Sequence, residues 1–298
     1  MLWRDDGMAR VGRGGAMQIR MVHNGRDRDS LLMPMDERTV DLMLQFSIQL
    51  MRVEPTTRLT EFRTWDTHGS GDGILHDGRE RFNLDAWTDA EWVAFRDNFV
   101  RVLMRYWDGK FELTPNRAWY QARHAIGAAS APKIACSMSI GLVDTAGLAN
   151  QRFFIIKPRE TNFRSFALAE RRLGLFTHRD LALDWNTRQT RLGRIRHSVS
   201  FLQTTILHEF GHTLGLQHVR GRGNTDAHYG ITLDQRNDLM GMGDHATARL
   251  AQPWISQLRH HLIPAHAEAP VRFTARVVAP QLITYWDNDW VPPPAPAP

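Results

Sequence analysis

His208-Glu209-Phe210-Gly211-His212-Thr213-Leu214-Gly215-Leu216-Gln217-His218 falls largely within an apolar run, residues 198–216, whose spacing predicts a helix. Phe201, Leu207, Phe210 and Leu214 give that helix apolar faces, and Ser200 with Gln203 fits a capping box at its start. At 3.6 residues per turn, positions four apart differ by roughly 40° around the axis. His208 and His212 therefore project from one face, one turn apart, and two imidazoles so placed can chelate one zinc ion. Glu209 sits on the flank of that face. It is too far round to share the same ligand position but can reach a metal-bound water, where a general base belongs. Gly215 follows His212 by three residues and can take φ > 0, ending the helix in a sharp turn. The chain then doubles back, so that His218 approaches the metal from another side. Three neutral imidazoles leave a fourth position open, as a catalytic zinc site requires. In random chains of this composition the full spacing arises about once in ten thousand.

His208-Glu209-x-x-His212-x-x-Gly215-x-x-His218 resembles the zinc signature of the metzincin metallopeptidases. The resemblance implies His208, His212 and His218 as zinc ligands, Glu209 as general base, and zinc as the cofactor. It also requires a methionine turn downstream, and Asp238-Leu239-Met240-Gly241-Met242-Gly243 supplies one, with Met240 the better fit and Met242 the second choice. Some metzincins place a tyrosine two residues after that methionine; here the position is Met242. The match covers roughly 35 of the 298 residues and identifies no subfamily. Its expected fold is α/β (α+β), with a mixed twisted sheet over the active-site helix and a C-terminal subdomain after the zinc motif. The expected activity is a zinc endopeptidase acting on peptides or proteins. Two alternatives stay open: a zinc amidohydrolase acting on a non-protein or cell-wall amide, and a non-catalytic zinc-stabilised binding protein. The related zinc-peptidase plan takes a glutamate as third ligand, but after Glu209 the only one is Glu268, among alanines and a proline. Asp226 and His228 lie within reach of the motif without its spacing, and Tyr229 lies beside them.

Composition bounds the rest. A chain of 298 residues that is 42% hydrophobic and 23% charged is long enough for one large domain or two small ones and is not disordered as a whole. Cys136 is the only cysteine, so an internal disulfide and a Cys-rich zinc cluster are both excluded; it reads as a small buried apolar residue. The net charge is +5, and 34 of the 37 basic residues are arginine. That charge is too low for the dense basic face of a nucleic-acid binder, and none is expected as a partner. No window matches a membrane span, and the N-terminus lacks the apolar core of a secretory signal. The expectation is a cytoplasmic protein, or one exported by a non-classical route, with no inhibitor or immunity partner legible.

Along the chain, residues 1–30 read as a loose arm rich in Gly, Arg and Asp. The expected catalytic domain spans 31–263, divided near 217 and 218, and 264–298 reads as an extension with a Pro-rich tail. Period-two patterning predicts a strand over 39–53, and further strands over 134–143, 152–156, 181–185 and within 271–286. The strand 152–156, which carries Phe153-Phe154-Ile155-Ile156, reads as buried on both faces; it is also the expected edge along which an extended peptide would align. Residues 65–79, with His68, Asp72, His76 and Asp77 among glycines, read as a surface turn. Thr88-Asp89-Ala90-Glu91 is a capping box opening a helix that closes near Asp108-Gly109. A basic loop is expected over 188–196, and a helix interrupted near Pro253 over 246–262.

Overall fold

The computed structural model describes residues 21–120, 130–192, 195–262 and 270–278. Its centre is the long strand predicted over 39–53. Two short strands precede it, β1 (Met21–Asn24) and β2 (Asp29–Pro34), and β3 itself runs Thr39–Arg52. Val40, Leu42, Leu44, Phe46 and Ile48, at period two along β3, all point into the main core. Of the arm expected over residues 1–30, residues 1–20 lie outside the described residues, while Met21–Asn24 and residues 29–30 instead pair into the sheet, because β1 lies antiparallel on β2 and β2 on β3.

A small meander follows: β4 (Arg58–Leu59), β5 (Thr67–Ser70), β6 (Ile74–Asp77) and β7 (Glu80–Asn83). The stretch 65–79 is therefore a hairpin rather than a plain turn. Gly71 and Gly73 occupy the bend with positive φ, and His68 stacks on His76 across the strands at 5.1 Å. Helix α1 (Asp89–Trp107) begins at the expected capping box, with the Thr88 side chain accepting from the Glu91 N–H and Glu91 reaching back to the Thr88 N–H. Its stripe Phe95, Phe99, Leu103 and Trp107 is buried in the main core.

Then come β8 (Phe111–Pro115), β9 (Lys133–Leu142), β10 (Gln151–Ile156), β11 (Phe166–Leu168) and β12 (Leu173–Thr177). Cys136, on β9, is fully buried among apolar side chains. Next is an antiparallel pair, β13 (Leu183–Leu192) and β14 (Ile195–Thr204). The basic segment 188–196 belongs to this pair; the side chains of Arg188, Arg191, Arg194 and Arg196 lie outside the described residues. Helix α2 (Thr205–Thr213) carries the histidine motif, followed by the short helices α3 (Asp226–Tyr229) and α4 (Leu233–Asn237). The interrupted C-terminal helix is a 3-10 turn, Ala248–Ala251, leading into α5 (Gln252–Leu258) with Pro253 in the first turn, where its missing N–H costs nothing. The last described strand is β15 (Phe273–Val277). Glu268 and residues 279–298, including the Pro-rich tail, lie outside the described residues.

The nine-stranded mixed sheet has the order β11-β12-β10-β3-β9-β8-β15, with β2 and β1 added beside β3. The first half of β3 pairs with β2 and the second half with β10, while β9 takes the opposite side. Strands β12, β10, β3 and β9 are mutually parallel; the outer ones are antiparallel. Strand β10 is covered on both faces, as its continuous apolar run implies. Phe153 and Ile155 enter the main core, and Phe154 and Ile156 enter a second core with Phe62, Phe82 and Leu175 beneath the meander. It is also interior to the sheet, so the free edge expected there is displaced to β11. Among the described residues no helix is long and apolar enough to cross a membrane.

Candidate metal centre

The helix predicted over 198–216 is shorter than its periodicity suggests. Residues 195–204 are strand β14, and α2 starts only at Thr205, so Ser200 and Gln203 form no capping box. The cause is long-range pairing: Leu183 faces Thr204 and Trp185 faces Leu202 across the β13–β14 ladder. The start of α2 is instead tied down by Asp244, whose carboxylate accepts from the Thr204 N–H at 3.0 Å and from Thr204 Oγ1 at 2.9 Å.

The far end of α2 closes as Gly215 was expected to allow, with φ +90°. The Gly215 N–H donates to His212 O at 2.9 Å and the Leu216 N–H to Gly211 O at 3.0 Å, the paired bonds of a Schellman closure. Arg28, from the β1–β2 connection, donates to the Leu214 carbonyl at 2.9 Å. That reversal brings His218 back to the helix. The side-chain ligand atoms of His208, His212 and His218 lie within 4.8 Å of one another, close enough to bind one metal ion. His212 Nε2 and His218 Nε2 are 3.2 Å apart. Two nitrogens sharing one tetrahedral zinc at 2.0–2.1 Å would be separated by about 3.3 Å.

Each ring has its other nitrogen engaged. His208 Nδ1 faces Leu239 O at 2.7 Å, His212 Nδ1 faces Leu216 O at 2.9 Å, and His218 Nδ1 faces Gly223 O at 2.6 Å. A carbonyl only accepts, so each Nδ1 carries the proton and each Nε2 keeps its lone pair. Burial lowers the proton affinity of both His208 and His212, which favours the neutral form that ligates. The donor set therefore fits a divalent metal ion.

Glu209 is buried beside the cluster, and its Oε2 accepts the Ala167 N–H of β11 at 2.9 Å. Burial raises its pKa to about 8, against the opposing pull of the Arg164 charge and the Ala167 N–H. A cleft of about 910 Å³ opens here, with Glu209, His212, His218, Tyr229, Arg164 and β11 among its walls.

The turn at 238–243 lies under α2. Met240 is fully buried, and a Cβ on Gly211 would collide with its sulfur, so the methionine packs directly on the helix backbone. Met242 is buried in the same turn without that contact at Gly211. Buried Asp238 fixes the turn by accepting from the Met240 N–H at 2.8 Å, from Thr247 Oγ1 and from Arg249. Gln203 donates to Leu239 O and Gly243 O at 3.0 and 2.8 Å.

Of the other candidates, His228 turns its Nδ1 to Thr225 and caps α3. The Asp226 side chain lies outside the described residues. The pair His68 and His76 belongs to no metal-binding group among the described residues. Four roles are not legible in the sequence: those of Arg28, Gln203, Arg164 and Asp238. The first three act on residues distant along the chain, and Asp238 fixes its own turn through Met240, Thr247 and Arg249 without a pattern that signals it. No family model, curated protein or solved structure matches this chain.

Proposed function

We propose that the protein is a metzincin-type zinc endopeptidase that hydrolyses peptide bonds. The observation that carries this reading is the convergence of three imidazoles whose Nδ1 atoms are all held by backbone carbonyls, beside a buried carboxylate on a cleft. Nε2 of His208, His212 and His218 would hold the ion, and an all-imidazole set suits zinc. Zinc there supplies a Lewis acid that polarises a carbonyl and lowers the pKa of water towards about 7.

Glu209 takes a proton from the attacking water as its oxygen bonds to the scissile carbonyl carbon and the C=O electron pair moves onto oxygen. Glu209 then gives that proton to the amide nitrogen as the C–N bond breaks, leaving a carboxylic acid and an amine. The Ala167 N–H orients the carboxylate through both stages. Strand β11 pairs on one side with β12, and its other side, where the Ala167 N–H holds Glu209, lines the cleft along which an extended peptide would lie. Met240 gives the helix a tightly packed floor.

The test is digestion of a mixed library of unfolded peptides by zinc-loaded protein, read by mass spectrometry, before and after chelation and after zinc is restored. Cuts that vanish and return support the reading. Bound zinc without cuts overturns the peptidase assignment in favour of a non-protein amide or a structural metal.

A further inference from the structure

Hydrolysis as proposed puts negative charge on the former carbonyl oxygen, and the position two after Met240 holds Met242, whose thioether cannot donate a hydrogen bond. Any side-chain donor to that oxygen, beyond the polarisation a bound metal would supply, comes from elsewhere in the cleft. Tyr229, the last residue of α3, is buried with its ring 3.9 Å from the His218 ring and 5.9 Å from that of His208, nearly parallel to the latter. Those contacts fix the phenol against two of the three ligating imidazoles. Arg164, just before β11, donates from Nη2 to the Tyr229 hydroxyl oxygen at 3.0 Å, and both residues line the cleft. A guanidinium N–H donated to a phenol oxygen polarises its O–H and makes it a stronger donor. The Arg164 charge also reaches His208, His212 and Glu209 electrostatically. The resident anion that offsets it is Glu209, whose charged form Arg164 favours, and an oxyanion formed beside the three histidines would be attracted in the same way.

We infer that the Tyr229 hydroxyl, positioned by Arg164, donates to the oxyanion formed when water adds to the substrate carbonyl. The inference rests on the peptidase reading. Tyr229 is the catalytic residue here because it touches the reacting oxygen; Arg164 is a positioning residue acting through it. In a purely structural role the ring alone would matter, and phenylalanine would replace tyrosine without effect.

The test compares wild type with Tyr229→Phe and Arg164→Lys, each checked for one zinc per chain. Tyr229→Phe is expected to lower kcat about 100-fold with KM little changed, and Arg164→Lys about tenfold. A second readout is independent of turnover: acetohydroxamate binding to cobalt-loaded protein, followed by the visible spectrum. Loss of one charge-assisted hydrogen bond should weaken it about tenfold or more in Tyr229→Phe. Unchanged kcat with unchanged acetohydroxamate affinity overturns the inference. So does loss of metal by Tyr229→Phe, which would make the tyrosine part of the ligand scaffold. If wild type cuts no peptide while acetohydroxamate binding still weakens in Tyr229→Phe, the peptidase reading fails and the anion-donor role of Tyr229 stands. Absence of metal binding overturns both.

Discussion

Each of the three imidazoles has one nitrogen committed to a backbone carbonyl, and this is what turns a spacing into a site. The spacing itself was legible, because four residues on a helix is nearly one turn and Gly215 is the residue that can reverse the chain. The carbonyl partner Leu239 was not, because it lies 31 residues from His208 and only the fold brings it near, and Gly223, five residues after His218, carries no pattern that marks it as a partner. His218→Ala leaves two ligands, and zinc affinity measured with a competing chelator should fall at least 100-fold while the far-ultraviolet dichroism stays unchanged. Wild-type affinity in that variant would remove His218 from the ligand set. The sequence favours Met240 over Met242 as the turn methionine, and Met240 is the one of the two that packs against Gly211. Gly211→Ala should lower unfolding free energy by about 1–3 kcal/mol through overpacking, whereas Met240→Leu should cost under about 1.5 kcal/mol. Equal and negligible effects in denaturant unfolding would contradict that packing.

The elements read from the sequence are those whose signals are local. The Thr88 capping box and the buried stripe of α1, the alternation of β3 and the continuous run of β10 all declare themselves within a dozen residues. What failed were elements set by distant partners. Strand β14 has helical spacing and becomes strand because β13 pairs with it; β5 and β6 looked like a glycine turn because their apolar cover comes from elsewhere in the second core. Strands β1 and β2 are docked in the same way. His23 of β1 stacks on His260 at 3.9 Å, and Ser30 of β2 contacts buried His261 at 2.9 Å, which ties both strands to the end of α5. Burial, followed by the charges of His23 and His260, pushes His261 down to about 4 from 6.5; Asp29, near His23, is the acidic neighbour. Between those pH values the unfolded chain binds the proton and the folded chain does not, so stability is full above 6.5 and is lost as pH falls towards 4. Between pH 7 and pH 4.5 the urea midpoint of His261→Gln should therefore fall less, or rise more, than that of the wild type. An identical slope in the variant would contradict the assignment.

At the scale of the whole molecule, the sheet is the frame that holds the site together. Two of the three histidines sit on α2, the third on the loop that follows it, and their supports come from residues as far apart as Arg28 and Leu239. Very little of that closure is written locally, and the edge strand moved from β10 to β11 for the same reason: strand order is a property of the assembled sheet. A metal that bridges these segments binds the folded chain and not the unfolded one, so zinc at about 100 times its Kd should add about 2.7 kcal/mol of stability and raise Tm. A Tm indifferent to zinc and to chelator would mean that the three histidines hold no ion. The most direct measurement is peptide hydrolysis by Glu209→Ala against wild type, with both proteins carrying one zinc per chain. Removing the base while keeping the metal should lower kcat by about 100-fold or more. Hydrolysis at the wild-type rate by the zinc-loaded variant would contradict the account, because Glu209 would then not be the residue that moves the proton.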